Sequence, residues 1–286
     1  MASRVAVVQM QSGAQAGDNC QRVAKLVADA AAGGAQLVVL PEMWPCIGST
    51  AQLQRALHKQ EKILEFTCEL ARKHRLWLVA GSMPWLDDNL RRNDQAVGDG
   101  NRNPPAGPKP FARCWVIDAD GKPAGHYDKM HLFDVEVADG IGRYAESDIY
   151  AAGLDPVVLQ TPFGLLGLAI CYDLRFPELF RKLWQAGAEL VAIPSAFTAV
   201  TGRAHWRSLL RARAIENSCY ILAANQFGTH ADNRSTWGHS MIVGPWGEEL
   251  ACLKSEEGVL LVDADRQQVA GIRDRMPCHL HQRLKV

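Results

Sequence analysis

Apolar segments of strand length alternate along the chain with longer amphipathic segments that stop at glycine or just before the next apolar segment. This alternation is typical of an α/β fold, in which helices connect the strands of a sheet. In the first part of the chain it predicts strands at 5–10, 36–40 and 76–80, and helices over 18–33 and 51–74. The predicted order is that of a βαβαβ unit.

The same order of elements returns in the second half of the chain. Strands are predicted at 165–171, 189–193 and 219–224, and helices over 177–186 and 203–217. The two units also match in sequence, because GAQLVVLP at 34–41 and GAELVAIP at 187–194 occupy the same place in each. A match at equivalent points of two βαβαβ units indicates two related halves.

Each half predicts a sheet with helices on one side and a bare apolar face on the other. Two such sheets bury their bare faces against each other, so we expect an α/β fold of four layers, an αββα sandwich, formed by a single domain over 1–286. The polar segment 86–110, rich in Gly, Pro and Asn, predicts a surface loop within this domain. The segment 112–128 predicts a β-hairpin.

Composition narrows the class of ligand. The 286 residues carry no formal net charge and 48% are hydrophobic, so we expect a globular protein that does not bind nucleic acid. No apolar stretch reaches the length of a membrane span, and the N-terminus lacks the pattern of a secretory signal. The eight cysteines form no CxxC pair, which favours a reduced state. We therefore expect a cytoplasmic protein that binds a small molecule and no membrane.

Reactive side chains follow several of the predicted strands. Glu42 comes after LVVLP, Lys129 after AGHYD and Cys171 after LGLAI. Because the carboxyl ends of strands in such sheets converge on a crevice, we expect the three to meet at one end of the sandwich. Taken singly, each has an ordinary explanation, since a buried cysteine, a surface lysine and an acid at a helix start are common.

A thiol, a carboxylate and an ammonium together suit amide hydrolysis. Glu42 would take the proton from Cys171, because the thiolate is the nucleophile. Lys129 and the backbone N–H of Tyr172 would stabilise the oxyanion that forms on the attacked carbonyl. Glu42 would then protonate the leaving amine and activate water against the thioester. This chemistry requires no metal and no cofactor.

Four segments resemble motifs of the nitrilase superfamily of carbon–nitrogen hydrolases: LPEMW (40–44), HYDKMHLFDV (126–135), RYAESD (143–148) and LAICYDLRFPEL (168–179). The resemblance covers essentially the whole chain. It implies the αββα fold, a catalytic triad of Glu42, Lys129 and Cys171, and a second glutamate, Glu146, that supports the lysine. It also implies no cofactor and a homodimer or higher homo-oligomer, with the tail over about 265–286 packed at a subunit interface.

Within the superfamily, the segments 194–220 and 237–250 look like the branch that contains deaminated-glutathione amidases and ω-amidases. Such an enzyme releases ammonia or an amine from a small amide that carries a carboxylate. Arg175 is the candidate to bind this carboxylate, although a structural ion pair with Glu178 or Glu146 explains it equally well. Phe197 and Thr198 are further candidates for substrate binding, in a loop expected to shape the pocket.

Other functions remain open at this point. Another amidase or N-carbamoyl hydrolase of the same superfamily fits the same motifs. A papain-like thiol hydrolase would use His131 or His205 as its base, and an inactive interaction module would keep the fold alone. The spacing of the histidines does not indicate a metal site.

Overall fold

The computed structural model describes residues 2–87 and 107–284, so most of the predicted loop 86–110 lies outside the described residues. One large sheet consists of β1 (Ser3–Gln9), β2 (Leu37–Val39), β3 (Trp77–Val79), β4 (Met83–Trp85), β5 (Phe111–Ile117), β6 (Pro123–Asp128) and β17 (Gly258–Ala264). Its order is β17-β1-β2-β3-β5-β4, and β6 pairs with β5. The β5–β6 pair confirms the predicted hairpin.

A second large sheet consists of β9 (Val158–Thr161), β10 (Gly164–Leu168), β11 (Leu190–Ser195), β12 (Tyr220–Asn225), β15 (Met241–Val243) and β16 (Glu249–Cys252). Its order is β16-β15-β12-β11-β10-β9. Two separate hairpins pair β7 (Asp134–Val137) with β8 (Gly142–Ala145) and β13 (Phe227–Thr229) with β14 (Ser235–Trp237).

The helices lie between and after these strands. They are α1 (Ala16–Ala32), α2 (Thr50–Leu57), α3 (Gln60–His74), α4 (Pro177–Gln185), α5 (Arg207–Asn217), α6 (Arg266–Arg275) and α7 (Cys278–His281). A short α-helical turn, Ala199–Thr201, and a π-helical turn, Gly202–Trp206, lead directly into α5.

The two related halves are confirmed in the strand pairing. Strands β1, β2 and β3 are parallel neighbours, and so are β10, β11 and β12. Each set of three is joined by helices, as the βαβαβ pattern predicts. The repeat in sequence is therefore a repeat in topology.

Alternation along the strands produces the layers. In β1, Val5 and Val7 belong to a buried cluster shared with the second sheet, whereas Ala6 and Val8 pack with residues of α1 such as Val27. Successive side chains of a strand point to opposite faces, so one face of each sheet meets the other sheet and one meets helices. The predicted four-layer αββα sandwich is confirmed.

Two predicted elements differ in the structure. The helix expected over 51–74 is broken into α2 and α3, because Leu53 and Ala56 pack in a small cluster with Cys46, whereas Ile63 packs on the first sheet. The strand expected over 165–171 ends at Leu168.

The C-terminal segment packs partly against its own chain. Val269 and Ile272 on α6 are buried, and the Arg273 side chain donates to the carbonyl oxygens of Ala188 and Asn217. Further along, Leu280 is 71% exposed. The expectation of a subunit interface at this tail stays a prediction, as does the single domain.

Within the described ranges no helix is both long and apolar enough to cross a membrane.

Candidate active site

A cavity of about 280 Å³ lies beyond the carboxyl ends of the central strands. Its lining includes the four predicted catalytic side chains, Glu42, Lys129, Glu146 and Cys171. Tyr172, Phe197 and Thr198, predicted from the same sequence, also line it. Residues that are far apart in the chain thus meet at the place expected from strand ends.

Cys171 sits on a sharp turn after β10. Its φ of 46° lies in the left-handed region, which costs a residue with a side chain about 1–3 kcal/mol. A 3₁₀ turn, Cys171–Arg175, starts at this residue. The buried carboxylate of Asp173 accepts the N–H of Ile170 at 2.8 Å and thereby fastens the turn. The strained turn brings the sulfur to the cavity.

Lys129 follows β6 directly and is only 2% exposed. Its Nζ donates to Glu42 Oε1 at 2.8 Å and to Glu146 Oε2 at 2.7 Å. Burial alone would lower the pKa of Lys129, but the charges of the two carboxylates outweigh it and hold the pKa well above its usual value. The Lys129 side chain therefore carries its charge at neutral pH, and its Nζ is held between the two carboxylates.

Glu42 follows β2 and has each carboxylate oxygen engaged. Oε1 accepts from Lys129, and Oε2 accepts the backbone N–H of Ala196 at 2.8 Å. Its carbonyl oxygen also accepts from the side-chain amide of Gln226 at 3.0 Å. The carboxylate is held between the first sheet and the loop after β11.

Glu146 begins a 3₁₀ turn, Glu146–Asp148, after β8. Its Oε2 accepts the backbone N–H of Phe133 at 2.7 Å in addition to the Lys129 ammonium. Burial raises the pKa of Glu146 despite the positive charge beside it. Glu146 and Glu42 thus share the Lys129 ammonium.

The Cys171 thiol is protonated at rest. Burial, and then the negative charge of Glu42, raise its pKa well above the ordinary value, while Lys129 opposes the shift. A buried thiol of this kind reacts only when a base removes its proton during attack. Glu42 is the neighbouring carboxylate that suits this role.

The structure does not bring every predicted residue to the cavity. The Arg175 side chain lies outside its lining, where Nη1 is 3.2 Å from His205 Nδ1 and the guanidinium lies over the ring of Phe197. His131 is also outside, with Nδ1 2.6 Å from Asp173 Oδ1 and its ring stacked on Phe176. The histidines invoked for a papain-like base are therefore not in the lining.

Several lining residues are not among the site residues predicted from the sequence. Arg234 and Asp232 come from the turn between β13 and β14, and Tyr144 from β8. Asp173 lies two residues after the cysteine in sequence, yet its four side-chain contacts become visible only in the fold. A polar hairpin turn alone is an ordinary surface feature.

Among the residues described, no group of three or more His, Cys, Asp and Glu side chains is placed to hold a metal ion.

Comparison with known proteins extends over nearly the full chain. A family model of carbon–nitrogen hydrolases matches residues 4–274. The deaminated glutathione amidase of Yersinia enterocolitica is 37% identical over 283 residues, which cover 98% of this chain and 93% of that relative. The resemblance of the four motifs to this class of hydrolases is confirmed.

Solved structures of related proteins are similar to this chain over nearly its full length. The Caenorhabditis elegans NitFhit protein has a TM-score of 0.87 at 37% identity, and the match covers 99% of this chain and 65% of that one. A Glu-to-Gln mutant of an amidase from Nesterenkonia sp. AN1 shows the result of Michael addition of acrylamide at its active-site cysteine. It has a TM-score of 0.75 at 25% identity, over 97% of this chain and 99% of that one. This chain belongs to the carbon–nitrogen hydrolase family, and it is a hydrolase that acts on carbon–nitrogen bonds.

Proposed function

We propose that the protein is a cysteine-dependent amidase that hydrolyses deaminated glutathione. The observation that carries the mechanism is the buried ammonium of Lys129, held by Glu42 and Glu146 in the cavity that also contains Cys171. The substrate class is supported by the relatives named deaminated glutathione amidase, which align over almost the entire chain.

In the first half of the reaction Cys171 attacks the amide carbonyl. Glu42 takes the thiol proton as the sulfur–carbon bond forms, so no free thiolate has to exist in the buried site. The carbonyl oxygen gains negative charge, which the Lys129 ammonium and the Tyr172 backbone N–H stabilise. The carbon–nitrogen bond then breaks, Glu42 returns the proton to the leaving amine, and a thioester remains.

In the second half water replaces the amine. Glu42, again ionised, accepts a proton from water while the oxygen attacks the thioester carbonyl. The carbon–sulfur bond breaks, the proton returns to sulfur, and the carboxylic acid leaves. The net reaction is amide plus water to acid plus amine, which for deaminated glutathione gives α-ketoglutarate and cysteinylglycine.

The test compares deaminated glutathione with α-ketoglutaramate, the substrate of an ω-amidase. Both amides give α-ketoglutarate, so one chromatographic assay measures both. We expect a higher kcat/KM for deaminated glutathione. A higher value for α-ketoglutaramate would identify an ω-amidase, and no turnover of either would refute the proposed substrate.

Two variants separate the mechanism from the alternatives. Cys171→Ala should abolish turnover, whereas Cys219→Ala, at a buried cysteine outside the cavity lining, should not. Glu42→Gln should lose nearly all activity, because the remaining amide cannot accept the thiol proton. A modest loss in Glu42→Gln would favour a histidine base, and no wild-type turnover of any amide would favour an interaction module.

A further inference from the structure

The cavity carries charges that the hydrolytic chemistry does not use. Beyond the triad and Glu146, its charged lining consists of Arg143, Arg234 and Asp232. Most of the other lining side chains are apolar or aromatic, such as Phe133 and Ile149. A cation in such surroundings attracts an anionic part of a ligand, because few other groups compete for it.

Arg234 is the arginine that is built into the cavity wall. Its side chain is 24% exposed, and its Nη2 lies 3.2 Å from Asp232 Oδ2. Its Nη1 donates to Met43 Sδ at 3.7 Å, and its guanidinium lies over the ring of Tyr144, 5.5 Å from the ring centroid. Arg234 therefore lines the same cavity as Glu42 and Cys171.

The guanidinium of Arg234 has more N–H donors than the described contacts engage. A guanidinium offers five N–H donors, of which the described contacts to Asp232 and Met43 occupy two, the second being a weak bond to sulfur. A carboxylate binds a guanidinium through two parallel hydrogen bonds, which match the planar group in geometry. Asp232 holds the side chain in position without using up this capacity.

The hairpin turn that carries Arg234 is tied to the first sheet. His230 Nδ1 is 2.9 Å from the carbonyl oxygen of Ser12, and its Nε2 is 2.8 Å from Thr236 Oγ1. Ser12 in turn donates to the carbonyl oxygen of Trp44, two residues after Glu42. The arginine is therefore preorganised relative to the base, as a group that selects substrates must be.

We propose that Arg234 binds a carboxylate of the substrate and selects amides that carry one. The proposal rests on the amidase function proposed above and names the group that recognises its substrate class. Arg143 fits this role less well, because it lies on β8 directly opposite Glu136 of β7 and is exposed.

The carboxylate has two possible sources in deaminated glutathione. One is the α-keto acid of the acyl part, and the other is the glycine carboxylate of the leaving part. α-Ketoglutaramate has only the first. A loss with both substrates on changing Arg234 therefore assigns the acyl carboxylate, and a loss with deaminated glutathione alone assigns the glycine carboxylate.

The experiment measures kcat and KM of Arg234→Gln and Arg234→Lys with these two substrates and with butyramide, a neutral amide. For the acidic substrates we expect kcat/KM of Arg234→Gln to fall on the order of 10- to 100-fold, mainly through KM, since a hydrogen bond to a charged group is lost. The kcat/KM of Arg234→Gln for butyramide should equal that of the wild type. With the acidic substrates, Arg234→Lys should recover part of the kcat/KM that Arg234→Gln loses. Arg266→Gln, which breaks the exposed ion pair with Glu189, is the control.

A binding measurement keeps the two proposals separable. α-Ketoglutarate is titrated calorimetrically into Cys171→Ala protein with and without Arg234→Gln. Binding that is lost with the arginine supports the inference even if the wild type turns over neither acidic amide. Unchanged KM and unchanged binding would overturn it while leaving the amidase function intact, and an equal loss with butyramide would overturn it as well.

Discussion

Removing the hydroxyl of Tyr127 should disturb the turn that carries Cys171. This hydroxyl is fully buried, donates to Asp173 Oδ2 at 2.8 Å and accepts the backbone N–H of Met130 at 3.2 Å. The same oxygen of Asp173 accepts the N–H of Ile170, the residue before Cys171. One carboxylate thus connects the segment after Lys129 to the turn at Cys171.

The expected loss follows from these contacts. In Tyr127→Phe the buried Asp173 loses one donor, which costs about 1.5–3 kcal/mol for a charged acceptor, and the Met130 N–H loses its acceptor at about 1 kcal/mol. We expect the free energy of unfolding to fall by about 2–4 kcal/mol. The fold survives, since His131 and Ile170 still donate to Asp173.

Tyr220→Phe is the matched control. Tyr220 is also buried, and its hydroxyl donates to Gln268 Oε1 at 2.6 Å and accepts the N–H of Asp265 at 3.1 Å. Neither partner lines the cavity, and the acceptor is neutral. This change should cost about 1–2 kcal/mol and leave kcat unaltered.

The two variants are compared by urea unfolding, by kcat, and by the rate at which iodoacetamide alkylates Cys171. We expect kcat of Tyr127→Phe to fall on the order of 10- to 100-fold, because a small displacement of the sulfur removes the attack geometry. The alkylation rate should fall with it. If both tyrosine variants lose the same stability and both keep kcat, Asp173 does not position the nucleophile and the reasoning fails.

Three further outcomes are expected. The free energy of unfolding of Cys171→Gly should be about 1 kcal/mol higher than that of Cys171→Ala, because glycine adopts the left-handed conformation without strain. Equal free energies of unfolding would contradict strain at this turn. Glu146→Gln should move the alkaline limb of the kcat profile to lower pH, because Lys129 loses a carboxylate that raises its pKa; an unmoved limb would contradict this role. Burial lowers the pKa of His230 in the folded protein below the value of 6.5 that it has in the unfolded chain. The contribution of the neutral His230 to the free energy of unfolding is therefore complete above pH 6.5 and is lost as the pH falls below it. Urea unfolding should therefore show less acid destabilisation in His230→Gln than in the exposed control His58→Gln, and equal losses would argue against it.

The sequence predicts those parts of the fold that depend on local patterns. The sequence match between 34–41 and 187–194 predicts the two related βαβαβ units. In each unit a buried parallel strand follows a helix that ends at glycine, and the two strands have similar composition. It also predicts the meeting of Glu42 with Lys129, since strand ends share one edge of a sheet.

The remaining features depend on long-range contacts. Arg234 reaches the cavity only because its hairpin folds over Ser12, more than two hundred residues earlier in the chain. Arg175 lies within a helical turn of the nucleophile, yet its side chain contacts His205 instead of the cavity. Nearness in sequence places a backbone, whereas the direction of a long side chain depends on what packs around it.

The two halves repeat in topology, but the reactive side chains at their equivalent positions differ. Glu42 in the first half corresponds to Ser195 in the second, whose hydroxyl donates to the carbonyl oxygen of Ile193 and carries no charge. Cys171 corresponds to Met10, which is fully buried. The first half therefore holds the proposed base without a thiol at the equivalent of Cys171, and the second holds the proposed nucleophile without a carboxylate at the equivalent of Glu42.

The two sets of groups also depend on each other for position. The second half supplies the Ala196 N–H and the Gln226 amide that fix Glu42, and the first half supplies Tyr127, which helps to fix the turn at Cys171 through Asp173. The carboxylate and the turn that carries the sulfur are thus each held partly by the other half. The hydrolytic site is consequently a property of the packed pair of sheets, and a change that loosens their contact should reduce kcat before it unfolds either sheet.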